Sequence, residues 1–274
     1  MALIGFFVHR SRAKAVERAK DLTTELTEKG HKVRQFEDME EGDFVEGLDL
    51  LVSMGGDGTI LRAVNLLGGA PVPVLGINFG HLGYLTAVEP SEAFQAIVRT
   101  LEGENDLEER MMLKVIVEKA GGNQRLVDHA LNEVVVERVA ASQTVHVGVS
   151  LDNSFFTSYA ADGIIISTPT GSTAYAFSAR GPIVDALHRS IQLTPVSAHM
   201  LFVRTLVLDP SSKLNLEVLG ERPATCSVDG RKLGTLKEGD QVICMASDRI
   251  AKLVTFGKRD FLHLLKTKFG LEDR

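Results

Sequence analysis

The sequence contains few of the residues that build metal centres. Only two of its 274 residues are cysteines, Cys226 and Cys244, and their spacing is not that of a metal site. None of the eight histidines belongs to an H-E-x-x-H pair or a similar cluster, which argues against a dedicated histidine-based zinc site. The N-terminus lacks the leading positive charge of a secretion signal. We therefore expect two free thiols in a reducing cytoplasm.

Long apolar runs and an excess of positive charge are also missing. Every uninterrupted apolar run is far shorter than the ~20 residues that span a bilayer, so we expect no membrane partner. A net charge of −6 argues against a broad nucleic-acid surface, which needs clustered Lys and Arg. The same charge is compatible with a small anionic ligand that is bound by backbone amides. Apolar residues make up 44% of the chain, enough for a substantial core.

The first hundred residues alternate in the manner of α/β units. Buried-strand runs are predicted at 3–8, 32–36, 48–54 and 72–77, and helices at 11–29, 59–67 and 90–101. Ser11 is the expected cap of the first helix, Gly30 its end, and Ala15, Ala19, Leu22 and Leu26 its apolar face. Continuous apolar strands between helices indicate a parallel sheet with both faces covered. Ligands of such sheets lie beyond the carboxyl ends of the strands, where residues 55–58 fall.

The pattern changes after the acidic stretch 102–109. Segments up to about residue 250 are short, rich in β-formers and separated by turns, and Asp229-Gly230 fits a hairpin turn. The predicted strands lie at 114–118, 134–139, 144–151, 163–167, 205–208, 214–218 and 241–245. The fold class expected is an α/β N-terminal domain with a parallel sheet, then a mostly antiparallel, β-rich C-terminal domain. A C-terminal helix at 260–269 is expected to return to the first domain. The predicted limits are 1–104, 105–250 and 251–274.

The stretch G-G-D-G-T at 55–59 is the first candidate site. Glycines let phosphate oxygens approach backbone amides, and the helix N-terminus that follows favours anions. No Lys follows the glycines, so this is neither the G-x-x-x-x-G-K-[ST] phosphate loop nor the G-x-G-x-x-G dinucleotide fingerprint. Asp57 is unfavourable beside phosphate unless it holds a metal or accepts a proton from an attacking hydroxyl. These tasks belong to a kinase; the alternative is a glycine turn in which Asp57 caps the helix.

The loop at 76–86 follows the next strand along the chain. Its three glycines and one Asn leave the backbone free to shape a pocket wall. Four apolar or aromatic residues could cover an adenine face: Phe79, Leu82, Tyr84 and Leu85. The alternative is an irregular loop that packs its own apolar residues.

Two polar elements stand out in the β-rich part. Asn132 and Glu133 lie beside an apolar strand and could bind the two hydroxyls of a ribose, unless they are only its solvated start. Further on, a buried strand runs into S-T-P-T-G-S-T-A-Y at 167–175. This dense set of hydroxyl groups beside an aromatic ring suits an uncharged base and sugar, although a plain Ser/Thr-rich turn has the same composition.

In this order the motifs resemble those of the NAD kinase family, in its bacterial ATP-NAD kinase form, over nearly the whole chain. The G-G-D-G-T element alone is shared with diacylglycerol kinases and, loosely, with phosphofructokinases. The resemblance implies transfer of the γ-phosphoryl of ATP to the 2′-hydroxyl of the adenosine ribose of NAD, giving NADP. It also implies a divalent metal, Mg²⁺, with no metal-binding residue identified, and a homodimer or homotetramer.

The same resemblance implies roles for individual residues. Asp57 is the catalytic carboxylate, and the phosphate loop is formed by Gly55, Gly56, Gly58 and Thr59. Residues assigned to NAD are Phe79, Tyr84, Asn132, Glu133, Ala160, Asp162, Thr173, Ala174, Tyr175 and Ser178. Asn132 and Glu133 contact its ribose and diphosphate region, and Asp162 lies near its nicotinamide half.

The chain departs from the family pattern at three places. Tyr84 replaces a Phe that is more usual in the family. Where the family often reads S-A-G-G-P, residues 178–182 read S-A-R-G-P, and Arg180 is a phosphate contact, an interface residue or a neutral change. Ala160 stands where some members have a basic residue associated with preference for NAD over NADH, so both dinucleotides are expected as substrates. Polyphosphate as donor stays open, as do a lipid or other small-molecule kinase and a catalytically silent nucleotide sensor.

Overall fold

The computed structural model describes residues 1–36, 41–80, 83–86, 88–122, 124–257 and 261–271. Two units make up the chain: one contains Met1–Glu109 and Ala251–Arg274, the other Arg110–Ile250. The elements of the N-terminal half are β1 (Leu3–Val8), α1 (Ala13–Glu28), β2 (Lys32–Gln35), α2 (Glu41–Val45), β3 (Leu50–Gly55), α3 (Asp57–Leu66), β4 (Val74–Asn78), a 3₁₀ turn (Pro90–Glu92) and α4 (Ala93–Leu101). Those that follow are β5 (Asp106–Glu118), β6 (Arg125–Ala130), β7 (Glu133–Arg138), β8 (Val145–Leu151), β9 (Ser154–Ala161), β10 (Gly163–Ser167), a 3₁₀ turn (Thr170–Thr173), α5 (Tyr175–Ser178), β11 (Ile191–Val196), β12 (Leu206–Leu208), β13 (Leu214–Val218), β14 (Ala224–Val228), β15 (Arg231–Leu236), β16 (Gln241–Thr255) and α6 (Phe261–Phe269).

The first unit is built on a parallel sheet, as predicted. Its strand order is β2-β1-β3-β4, followed by the end of β16, and each of these pairs is parallel. The predicted β1 has the bounds that the structure shows. Because consecutive parallel strands need crossover connections, helices cover the faces of this sheet.

Helices lie on both faces of that sheet. The buried side of α1 consists of the four residues predicted from its periodicity, and they pack with Leu75 and Ile77 of β4 in one core. On the other face, a methyl group at Gly76 would lie 2.5 Å from Ile60 Cδ1 of α3. Alternate residues of β4 therefore contact helices on opposite faces, which is why the strand reads as a continuous apolar run.

The predicted start of α1 is wrong. The helix begins at Ala13, its N-cap is Arg12, and no side chain caps it. The Ser11 hydroxyl lies instead 3.0 Å from His9 Nδ1, so it does not bond to the helix. The predicted end is confirmed, because Gly30 follows the last turn with a φ of 83°.

The second unit contains two mostly antiparallel sheets around one core. One sheet has the order β12-β11-β10-β7-β14-β15, and the other includes β16-β13-β8-β9. Buried residues of both sheets form a single cluster, for example Val147 and Leu216 with Val134 and Ile164. The antiparallel, β-rich character is confirmed. No helix in the described part of the chain is both long and apolar enough to cross a membrane.

Several strands of the second unit were not predicted, namely β6, β9, β11, β14 and β15. The hairpin turn at Asp229-Gly230 is confirmed, with φ values of 46° and 76°, but it joins β14 to β15 and not two of the predicted strands. Strand β16 was predicted to end at 245 but continues to Thr255, because its last part pairs with β4 at Leu253↔Val74. This pairing is non-local and leaves no signal in the sequence of the strand.

Helix α6 belongs to the first unit, as predicted. Its Lys268 ammonium lies 4.8 Å from the centre of the Tyr84 ring, a cation–π contact. The predicted first residue of this helix, Asp260, lies outside the described residues.

Arg180 follows α5 in a backbone conformation that favours glycine. Its φ is 66°, and the next amide, that of Gly181, donates to the Ala176 carbonyl at 2.8 Å. Helix α1 ends in the same way, with Gly30 in the left-handed conformation and the next amide, that of His31, bonded to the Leu26 carbonyl. Unlike Gly30, Arg180 has a Cβ, which costs about 1–2 kcal/mol in the left-handed conformation. The positive φ thus explains why the family pattern often has glycine at the position of Arg180.

We expect Arg180→Gly to raise the free energy of unfolding by about 0.5–1 kcal/mol, because relief of the left-handed strain exceeds the added chain entropy. Urea denaturation followed by circular dichroism measures it. The matched control is Gly30→Ala, which should lower the free energy of unfolding by about 1 kcal/mol. An Arg180→Gly protein that is less stable than the wild type would contradict the prediction.

Candidate functional site

Asp57 is the first residue of α3 and does not cap it. The N-cap is Gly56, whose N–H donates to Thr59 Oγ1 at 3.3 Å. The Asp57 carboxylate accepts three backbone N–H groups of the neighbouring loop instead. Oδ2 accepts Tyr84 N–H at 2.7 Å, and Oδ1 accepts Leu85 N–H at 3.0 Å and Thr86 N–H at 3.3 Å. The helix-cap alternative for Asp57 is therefore wrong.

The two glycine-rich loops of the first unit lie side by side. Phe79 N–H donates to the Gly55 carbonyl at 2.7 Å, which joins the end of β3 to the residue after β4. Gly83 leaves no room for a side chain, since a Cβ there would overlap the Asp57 carboxylate and lie 2.6 Å from Thr86 Oγ1. The fold thus brings residues 55–59 and the described part of 76–86 together.

The apolar and aromatic residues of the second loop differ in how deeply they are buried. Phe79 packs against the core of the first unit. Tyr84 is half-buried, and burial together with the nearby Asp57 raises the pKa of its hydroxyl. Leu85 is buried, and Leu82 lies outside the described residues.

In the second unit, another carboxylate also accepts three backbone N–H groups. Asp229, in the hairpin turn after β14, accepts N–H groups of three consecutive residues: Leu131 at 2.7 Å, Asn132 at 2.9 Å and Glu133 at 3.0 Å. The sequence showed the turn but not this role. No local pattern links residues 131–133 to a turn almost a hundred positions away.

The backbone of Asn132 and Glu133 is fixed by Asp229, but one side-chain oxygen of each has no hydrogen-bond partner among the described residues. Both residues are 9% exposed, and among the described residues Asn132 Oδ1 and Glu133 Oε2 accept or donate no hydrogen bond. Burial, with the charge of Asp229 as a second cause, raises the pKa of Glu133 to about 8. Unpartnered buried polar atoms are costly, so they are natural contacts for a ligand.

The segment 167–175 packs directly against this pair. Thr168 N–H donates to the Asn132 carbonyl at 2.8 Å, and Thr168 Oγ1 donates to the Leu131 carbonyl at 2.6 Å. A Cβ at Gly171 would overlap the Asn132 carbonyl. Glycine is thus required at 171 by the close approach of two backbones.

A cavity opens beside Glu133 and Tyr175. It has a volume of about 520 Å³ and is lined by Glu133, Val135, Glu137, Tyr175, Thr225, Ser227, Gly230 and Lys232. This volume lies in the usual range for small-molecule sites. Thr225, Ser227 and Lys232 were missed by sequence reasoning, because strands β14 and β15 were not predicted.

The other predicted residues of the second unit lie around the ends of β9, β10 and α5. Asp162 Oδ1 forms an ion pair with Arg138 Nε at 2.8 Å, and the Ala160 carbonyl accepts His199 N–H at 2.8 Å. Thr173 Oγ1 donates to the Thr170 carbonyl at 3.3 Å. Ala174 precedes α5 and Ser178 ends it.

Comparison with known protein families gives two matches. The family model described as the ATP-NAD kinase N-terminal domain matches residues 40–105. The model described as the ATP-NAD kinase C-terminal domain matches residues 131–256. The first range contains Asp57 and its loop, and the second contains Asn132, Glu133 and Asp229.

Individual proteins give the same result. An NAD kinase of Syntrophotalea carbinolica is 32% identical over 286 residues, an alignment that covers 100% of both chains. The crystal structure of yeast NADH kinase complexed with NADH superposes with a TM-score of 0.93 at 25% identity, covering 100% of this chain and 89% of the other. An NAD kinase from Archaeoglobus fulgidus in complex with ATP has a TM-score of 0.75 at 25% identity, covering 98% and 97%. By its two family domains and its full-length relative, the chain belongs to the NAD kinase family.

Proposed function

We propose that the protein transfers the γ-phosphoryl group of ATP to the 2′-hydroxyl of the adenosine ribose of NAD. The bond between the γ-phosphorus and the bridging oxygen breaks, a bond from the 2′-oxygen to that phosphorus forms, and ADP and NADP leave. The observation that carries the proposal is a carboxylate, Asp57, in a loop otherwise suited to phosphate. Family membership supplies the identity of donor and acceptor.

Asp57 accepts the proton of the attacking hydroxyl in this proposal. A carboxylate offers about four lone-pair positions, and three are used by the backbone N–H groups of Tyr84, Leu85 and Thr86. The remaining position is on Oδ2, so the residue can serve one further partner without releasing its loop. Gly55, Gly56, Gly58 and Thr59 surround the phosphates of ATP, with backbone amides that need close approach.

We propose Mg²⁺ as the metal. The described residues contain no cluster of three or more His, Cys, Asp or Glu suited to a metal. Mg²⁺ often keeps several waters and binds through substrate phosphates, so the phosphates of ATP would hold it, and the one open position of Asp57 stays for the attacking hydroxyl. Bound there, the ion would neutralise charge that develops on the transferred phosphoryl group.

The second unit binds NAD in this proposal. Asn132 and Glu133 contact the ribose and diphosphate region of NAD through the side-chain atoms that have no partner among the described residues. A protonated Glu133 can donate as well as accept, as a pair of hydroxyls requires. Thr173, Ala174, Tyr175 and Ser178 line the adenine pocket, and Asp162 lies toward the nicotinamide.

We extend the proposal to NADH as a second acceptor. Position 160 is an alanine, whereas some family members have a basic residue there that is associated with preference for NAD over NADH. Ala160 has no charge with which to discriminate between the two nicotinamide forms. A relative of similar structure is named NADH kinase and was solved with NADH. Polyphosphate as a second donor is tested together with ATP below.

We place the protein in the cytoplasm. Cys226 and Cys244 are both free and buried, and burial raises the pKa of Cys226 to about 12. Both thus stay protonated thiols, which suits a reducing compartment.

We also propose that the protein is a homo-oligomer, a dimer or tetramer. Strand β9 ends one sheet of the second unit, and it carries Phe155 and Phe156 with 70% and 41% exposure. The Phe156 ring lies 6.1 Å from that of Phe202, edge to face, and Leu201 and Val203 are exposed nearby in the chain. Such an apolar patch beside an edge strand is typical of an interface.

The main test is a matrix of ATP or polyphosphate against NAD or NADH, with Mg²⁺ present. We expect NADP from ATP and NAD, and NADPH from NADH at a rate within about 10-fold. Asp57→Asn should lower kcat at least ~10²-fold, because the amide cannot take up the proton. The control Asp43→Asn removes an exposed charge of the same unit and should leave the rate unchanged. Absence of NADP from the wild type, or an Asp57→Asn protein as active as the wild type, would refute the proposal.

The raised pKa of Glu133 predicts how stability depends on pH without NAD. The folded protein favours the neutral Glu133 carboxyl. The contribution of this carboxyl to the free energy of unfolding is therefore complete below about pH 4.5 and is lost as pH rises to about 8. Glu133→Gln is neutral throughout. By linkage it should be more stable than the wild type at pH 8, by up to about 4 kcal/mol, with the difference vanishing toward pH 4.5. Urea unfolding at several pH values measures this, and parallel curves for the two proteins would contradict it.

The interface prediction concerns Phe156. Phe156→Asp places a charge in the proposed contact and should weaken association by at least about 10-fold. Light scattering coupled to size-exclusion chromatography over a range of concentrations gives the particle mass. The control is Val139→Asp, at another exposed apolar residue, with 54% exposure, of the same unit. An unchanged mass for Phe156→Asp, or an equal loss in both variants, would speak against this patch as the interface.

A further inference from the structure

The strand order of the first unit brings two loops to one place. Strand β1 lies between β2 and β3, and the residues that follow β1 and β3 lead into α1 and α3, which cover opposite faces of the sheet. Such a reversal of strand order leaves a crevice at the carboxyl ends of the strands, where open α/β sheets bind ligands. Val8 and Met54 are register partners, and His9 N–H donates to the Met54 carbonyl at 3.0 Å. The loop after β1 therefore starts beside the G-G-D-G-T loop.

The side chain of Arg12, at the end of the loop after β1, extends to Gly56 and Gly80 of the two glycine-rich loops. Its guanidinium donates from Nη1 to the Phe79 carbonyl. The same Nη1 lies against Gly80, where a Cβ would overlap it, and Nη2 lies 4.0 Å from the Cβ position of Gly56. Within the described ranges Arg12 forms no ion pair, and its side chain is half-buried. A guanidinium has five N–H donors, so most of them are available for a ligand.

The phosphate loop itself supplies no positive charge. Residues 55–59 contain no Lys or Arg and include the negative charge of Asp57. A triphosphate bound there would meet a carboxylate with only backbone amides to compensate. Arginine binds phosphate oxygens through paired N–H groups, which gives both charge and orientation.

We propose that Arg12 binds the phosphate groups of ATP and supplies the cation that the glycine loop lacks. This proposal rests on the phosphoryl-transfer function proposed above. The bond from Nη1 to the Phe79 carbonyl orients the guanidinium, and the absence of side chains at Gly56 and Gly80 gives it room. Arg12 is then a contact of the donor substrate and has no direct role toward NAD.

The test compares the wild type with Arg12→Gln, Arg12→Lys and the control Lys14→Gln, which removes an exposed positive charge two residues away. Initial rates are measured with ATP and NAD varied separately. We expect Arg12→Gln to raise KM for ATP at least about 10-fold while KM for NAD stays within about 2-fold, as for a lost charge-assisted contact. Arg12→Lys should recover part of the affinity, and Lys14→Gln should resemble the wild type.

A purely structural role gives a different pattern. If Arg12 only holds the backbone at Phe79, Arg12→Gln should lower the melting temperature and kcat and leave both KM values unchanged; that result, or an unchanged KM for ATP, would overturn the proposal. Calorimetric titration of ATP into wild type and Arg12→Gln, without NAD, tests the contact even if no NADP forms. A wild type that binds ATP but makes no NADP would refute the proposed function, whereas equal ATP binding by both proteins would refute only the role of Arg12.

Discussion

The binding of three consecutive backbone N–H groups by one carboxylate organises both candidate sites. Asp57 holds the loop after β4 in this way, and Asp229 holds the residues that lead into β7. Loops outside helices and sheets must find other partners for their N–H groups. An ionised carboxylate is a strong acceptor for several at once, so a single side chain can define an irregular backbone.

The two carboxylates are in different electrostatic situations. Asp57 is half-buried, follows a glycine that lies near Arg12, and has one lone pair that stays open. Asp229 is half-buried beside Glu133, burial raises the pKa of both carboxyls, and two such neighbouring groups do not readily carry charge together. The three amides that Asp229 accepts favour its charged form, so the neutral carboxyl is assigned to Glu133, whose pKa is raised to about 8. In the proposed function, the first arrangement leaves one lone pair of Asp57 for the attacking hydroxyl, and the second presents a neutral carboxyl to the hydroxyl groups of a ribose.

Close approach of backbones explains the glycines that surround these carboxylates better than conformational freedom does. Gly171 has no positive φ, yet a Cβ there would overlap the Asn132 carbonyl, and a Cβ at Gly83 would overlap the Asp57 carboxylate. Arg180 shows the opposite case. It has the positive φ that favours glycine, and enough space for a side chain to be accepted at some cost in stability.

Periodicity and local chemistry made much of the first unit predictable. The buried face of α1, the bounds of β1, the parallel sheet and the loop that carries Asp57 follow from apolar spacing, because helices and parallel strands place side chains at regular intervals. Pairing between distant segments was not predictable: it decided the length of β16, the existence of β14 and β15, and the contact of Asp229 with residues 131–133. The sequence by itself thus determined the family motifs and the kind of chemistry. Only the tertiary structure decided which backbone amides each carboxylate binds and where Arg12 lies, because hydrogen bonds between residues far apart in the chain depend on the fold and not on local pattern.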